Sequence, residues 1–176
     1  MNEMTIGTSR LTGYLVSMLG LGGQWILPDR NTGETLDPAK LLQIRQELEE
    51  TGLVELDFDG KLHPTEKFAR DAYTLKHVRA ALRWAEEDEI ALFLRGPVDD
   101  LLLRCRWDLW TLERVRPSAV LNWARDLAGS CHAGTLAAVD SPNGIPQEYV
   151  LQEKEDRSGL LTLALDIYFG GGDQNA

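Results

Sequence analysis

The residues of this 176-residue chain that could do chemistry are three histidines, two cysteines and several runs of carboxylates. His63 follows Asp57 and Asp59 and precedes Glu66, a set of metal-ligating types close together in sequence. The two aspartates flank an Asp-Gly turn and His63 stands just before a helix, so a solvated hairpin tip explains the same residues. Cys131 and His132 are adjacent. A nucleophile–base pair needs its side chains to converge, and neighbours on extended backbone point apart. Glu86, Glu87, Asp88 and Glu89, then Asp99 and Asp100, crowd at turns. Acid–base catalysis instead needs two carboxylates in a cleft, with environments that separate their pKa values. Gly20-x-Gly22-Gly23 has no preceding strand, no Gly-Lys-Ser/Thr ending and no helix starting at Gly23, so it is not a phosphate loop. These patterns identify no catalytic, metal-binding or cofactor-binding residue. The expectation is a protein without enzymatic activity or cofactor.

One stretch reads as a contact surface: Leu103-Arg104-Cys105-Arg106-Trp107-Asp108-Leu109-Trp110. Read as strand, it places Arg104 and Arg106 on one face with Trp110, and Cys105 and Trp107 on the other. Arginine and tryptophan are enriched at binding hot spots. The alternative is an outer sheet face with arginines stacked on an aromatic ring. Arg104, Arg106 and Trp110 are the expected partner-binding residues, and replacing all three by alanine is expected to weaken capture without unfolding.

Composition narrows the partner. The chain carries 18 Lys+Arg against 28 Asp+Glu, a net charge of -10, with 43% hydrophobic and 26% charged residues. That balance fits a folded domain with a sizeable core and disfavours binding of nucleic acid or anionic membrane by the whole surface. Cys105 and Cys131 read as small apolar core residues in a reducing compartment. Residues 11–28 are uncharged but too rich in glycine and polar residues to span a membrane, and the preceding residues lack the basic start of a signal peptide. A soluble cytoplasmic protein is expected, monomeric or homodimeric.

The elements follow from periodicity. Leu11, Tyr14, Leu15, Met18 and Leu19 mark a helix over 8–20, stopped by Gly20, Gly22 and Gly23. A turn-rich loop follows, with Trp25, Ile26 and Leu27 packing back onto the core. Asp37 and Pro38 start the next helix, with Leu36 and Leu41 as a staple and Gly52 as its end. Residues 53–62 read as a hairpin around Asp59-Gly60, and a third helix runs from Pro64 to about Lys76. Residues 78–85 and 90–94 alternate as strands, although a helix over 78–95 is an open alternative. Leu101 to Arg106 and Leu109 to Val115 complete a four-stranded meander. A helix follows from Pro117 or Ser118 to Ala128, then strands over 135–139, 148–153 and 160–169, the last carrying Leu161, Leu163, Leu165, Ile167 and Phe169 at alternate positions. Residues 170–176 read as a frayed tail. The class is α+β: N-terminal helices with a small hairpin, then an antiparallel sheet with a helix packed on it. Residues 1–176 form one domain, divisible near 76/77 into a helical part and a sheet part.

Two resemblances add to this. The run from Leu48-Glu49-Glu50-Thr51-Gly52-Leu53-Val54-Glu55 to Asp59-Gly60-Lys61-Leu62-His63-Pro64-Thr65 resembles a winged-helix element: a helix ending in glycine, a hairpin wing and a further helix after Thr. A DNA reader would be basic here, whereas residues 34–66 hold Lys40, Arg45 and Lys61 against nine acids. More widely, Gly52-Leu53-Val54 with Leu62-His63-Pro64, then an arginine-containing meander ending Val115-Arg116-Pro117 before a helix, is similar to the EspG-like chaperones of type VII secretion and their Gram-positive relatives. That resemblance implies a cytosolic, non-enzymatic α+β protein that holds a helical secretion substrate. Three readings therefore stand: a protein-binding chaperone or adaptor, a winged-helix regulator of DNA, and an enzyme. An exposed apolar patch would favour the first, a basic face the second, and a cleft holding His63 or His132 with a carboxylate the third.

Overall fold

A computed structural model describes residues 3–19, 37–141, 144–153 and 156–170. The loop around Trp25–Leu27, the glycines after residue 19, Leu36 of the expected staple and the tail beyond residue 170 lie outside the described residues.

The fold is α+β. A seven-stranded antiparallel sheet, in spatial order β1-β7-β6-β5-β4-β8-β9, lies between two groups of helices, and a two-stranded hairpin joins one of the groups. The elements run β1 (Met4–Gly7), α1 (Ser9–Met18), α2 (Pro38–Glu50), β2 (Val54–Leu56), β3 (Leu62–Pro64) and α3 (Glu66–Lys76). They continue with β4 (Ala80–Ala85), β5 (Glu89–Arg95), β6 (Asp100–Arg106), β7 (Leu109–Val115), α4 (Pro117–Gly129), β8 (Gly134–Val139), β9 (Gln147–Leu151) and α5 (Ser158–Phe169).

Local chemistry accounts for most of these. The Asp37 carboxylate accepts the Lys40 N–H at 2.9 Å, and Pro38 occupies the first turn of α2, where its missing N–H is not needed. In the β2–β3 turn Gly60 takes a φ of +74°, and the Asp57 carboxylate accepts the N–H groups of Asp59 and Lys61. Strands β4 to β7 close the meander and exclude the helical alternative for 78–95.

The segment 160–169 is a helix, not the expected strand. It is apolar on nearly every side, so alternate residues mimic a strand. The buried set is Leu161, Ala164 and Tyr168, at helical spacing, and Leu163 is exposed. Gly170, at φ +78°, ends it. Strand β1 was not expected. It has four residues, and its partner β7 lies more than a hundred residues away, so short-range patterning has nothing to act on.

Each face of the sheet carries its own core. On one, Leu15 and Val16 of α1, Ile44 and Leu48 of α2, and Phe68, Ala72 and Leu75 of α3 pack against Leu92, Leu94, Leu103, Cys105, Trp110 and Leu112. This cluster joins residues from both sides of position 76/77. On the other, Val120, Ala124 and Leu127 of α4 and Leu161, Ala164 and Tyr168 of α5 pack against Leu82, Trp84, Phe93, Leu102, Leu136 and Ala138. The two helix groups are displaced in opposite directions along the sheet. The first packs mainly against β1, β7, β6 and β5, reaching Ala81 of β4 and Val139 of β8 at its margin, and the second mainly against β5, β4, β8 and β9, reaching Leu102 of β6. Each face is thereby left with a quarter over which no described helix packs.

Candidate partner-binding surface

The first bare quarter is the α4–α5 face of β6 and β7. Arg106 pairs with Leu109 and Arg104 with Thr111 across the ladder, and all four face this side. Both arginines lean on Glu89 of β5. Arg106 Nε lies 3.1 Å from Glu89 Oε1, and Arg104 Nε 3.5 Å from the same oxygen. One carboxylate thus serves two guanidinium groups.

Trp110 is not on this surface. The strands are joined by two residues, Trp107 and Asp108, so even-numbered positions of β6 pair with odd-numbered ones of β7. Cys105 stands opposite Trp110. The alternation that would place Trp110 beside Arg104 and Arg106 is inverted by the turn. Trp110 is 3% exposed, packs in the core with Cys105, and donates its Nε1–H to Ser9 Oγ at 2.8 Å. The triple alanine replacement would therefore excavate the core.

The exposed tryptophan of this stretch is Trp107 instead. It is 86% exposed at the hairpin tip, beside the half-exposed Leu109. Trp107 and Asp108 have φ values of +47° and +63°, the left-handed pair that a two-residue hairpin turn requires and that Asn-Gly supplies with least strain. Asp108 is compensated because its Oδ1 accepts the Ser9 N–H at 3.0 Å, which ties the tip to the start of α1. The Ser9 hydroxyl and N–H hold the Asp108 carboxyl below the usual carboxylate range. Trp107 has only its N–H, which reaches Asp88 O at 3.4 Å. A large apolar ring is thus exposed to water on a residue in an unfavourable backbone region of a two-residue turn. Sequence reasoning missed it, although the strand limits at Arg106 and Leu109 already left a two-residue loop.

The remaining polar groups do structural work. Asp71 of α3 is fully buried, and Arg114 of β7 reaches it with Nε–Oδ1 at 2.6 Å and Nη2–Oδ2 at 3.2 Å. Asp71 raises the Arg114 pKa above its usual value. Arg70 grips Asp99 in the same two-pronged way, at 2.6 and 2.8 Å. Together these pairs dock α3 onto the β5–β6 turn and β7. At the C-terminal end of α5, Arg95 donates to the carbonyls of Tyr168 and Phe169. Burial there pushes the Asp100 carboxyl above its usual range, against the lowering pull of the Tyr168 hydroxyl and Arg95, and burial likewise raises Tyr168. Arg157, 1% exposed, donates to Ser130 Oγ and the Gln152 carbonyl and lies over Trp84.

The sequence candidates for chemistry do not gather into one site among the described residues. His63 Nε2 meets Asp57 Oδ2 at 2.6 Å on the outside of the hairpin, and that contact, with the Lys61 N–H, holds Asp57 below its usual range. His132 is exposed, with Nδ1 3.9 Å from Glu86 Oε2. Cys105 is a buried free thiol, raised by burial, whereas Cys131 is exposed rather than in the core. Among the described residues no three His, Cys, Asp or Glu side chains are grouped to hold a metal ion, and no helix is long and apolar enough to cross a membrane. No family model matches the chain, and no curated protein matches it either.

Proposed function

We propose that this chain is a non-enzymatic binding protein, a cytoplasmic chaperone or adaptor that holds another protein, as its resemblance to EspG-like type VII secretion chaperones implies. One observation carries the reading: Trp107, exposed and fixed in left-handed backbone at the β6–β7 tip, beside Leu109 and Arg106 on a part of the sheet that no described helix covers. An exposed aromatic anchor next to arginine is the composition of a binding hot spot. A helical segment could lie along the bare strip with its apolar side on Trp107 and Leu109 and an acidic side chain on Arg106.

The winged-helix reading keeps its shape, since α2, the β2–β3 hairpin and α3 follow in the expected order. Its charge opposes it, because nine acids face a phosphate backbone with three bases. Affinity capture from the native cytoplasm at low and moderate salt, with mass spectrometry of the eluate, separates the two. A small helical secreted protein in stoichiometric amount supports the chaperone. Nucleic acid in the eluate, or no partner, overturns it.

A further inference from the structure

The sheet has two edges, and they differ. β1 is short, and its register to β7 breaks between Thr5 and Gly7, so it is a poor template for another strand. β9 pairs with β8 in unbroken register from Gln147 to Leu151 and, among the described residues, has no partner on its outer side. A regular edge of this kind presents a row of N–H and C=O groups to a further strand.

The side chains at β9 suit such an addition. Val150 is 67% exposed on the face that carries α1–α3, where those helices stop short, and Ile145 just before the strand is 93% exposed. Inward of β9 on this face the sheet is lined by the small buried side chains of Ala137 and Val139 on β8 and Ala81 on β4. Arg83 is committed to Glu148, with Nη2–Oε1 at 3.1 Å. Charge selects the occupant. Residues 140–156 hold Asp140, Glu148, Glu153, Glu155 and Asp156 against Lys154 alone. A second copy of this chain paired β9 to β9 would bring two such acidic segments together. A basic segment would be drawn in.

We infer that β9 is a docking edge for an extended segment of another protein, apolar at alternate positions and lysine- or arginine-bearing at its ends. The added strand bonds to β9 through its backbone and sets alternate side chains against Val150, while its ends meet Asp140 on one side and Glu153 and Asp156 on the other. This surface is separate from the Trp107 tip and stands or falls without it.

The test uses the full chain and a fluorescein-labelled synthetic peptide of alternating valine and threonine with two lysines at each end. The expected result is saturable binding by anisotropy that weakens several-fold from low to moderate salt, with slowed amide exchange at residues 147–151. Val150→Lys, checked for native circular dichroism, should weaken binding about tenfold, because a lysine there blunts the edge and repels the peptide's ends. Phe58→Ala, on the distant β2–β3 tip, should leave it unchanged. The inference is overturned by absence of saturable binding at millimolar peptide or by equal binding of a glutamate-ended or proline-interrupted peptide. Protection confined to residues 104–111, or a β9-mediated dimer that excludes the peptide, overturns it as well.

Discussion

The two bare quarters of the sheet have the same origin and opposite surfaces. Each arises because a helix group covers only part of its face. On β6–β7 the exposed strip is built from long charged side chains, Arg104 and Arg106 with Glu89, and ends in a projecting Trp107. On β8–β9 the floor is alanine and valine, the one nearby arginine is neutralised by Glu148, and the strip ends at an open strand edge. The first has a protruding side chain, and the second has edge backbone beside the exposed Val150. A single antiparallel sheet thus presents two surfaces of different chemistry, and the two proposals made for them are independent.

The contrast between Trp107 and Trp110 is the easiest part to break. Trp110→Ala removes a buried ring and its bond to Ser9 and should destabilise the fold by about 3–5 kcal/mol, read as a large fall in the denaturant midpoint. Arg114→Ala leaves Asp71 buried without its partner and should cost about 3 kcal/mol. That loss should appear first as faster amide exchange in α3. Trp107→Gly should move stability the other way, by about 1 kcal/mol, because glycine takes the left-handed turn position without strain.

The smallest effect is a pH dependence. The Asp100 pKa is raised in the folded state, so its favourable contribution is complete below the unfolded value and is lost as pH rises through the folded one. Asp100→Asn should therefore raise stability modestly at neutral pH, and the gain should vanish below about pH 4. Melts across that range check the sign. Arg95 and Tyr168 face the carboxyl from β5 and α5, and Asp99 adjoins it, so the shift belongs to the cluster.

The sequence makes legible whatever local chemistry controls. Asp37 and Pro38 announce α2, the turn at Gly60 announces the small hairpin, and the alternation from residue 80 to 115 announces the meander. Three features depend on more than local pattern. α5 is apolar all round, so its period is hidden until Leu161, Ala164 and Tyr168 are seen to share a side. β1 exists only through β7, and Asp71 is tolerable in the core only through Arg114. The candidate surface was half legible. Arg104 and Arg106 lie where alternation puts them, but carrying the parity through a two-residue turn selects Trp110, and respecting the turn selects Trp107 instead.

The most direct measurement is capture from the native cytoplasm with the Trp107→Ala chain beside the wild type, both shown to share one denaturant midpoint. The account predicts that the wild type retains a stoichiometric protein partner and that Trp107→Ala retains about a tenth of it or less. Full retention by the folded variant would contradict the claim that the β6–β7 tip is where this protein takes hold of its partner.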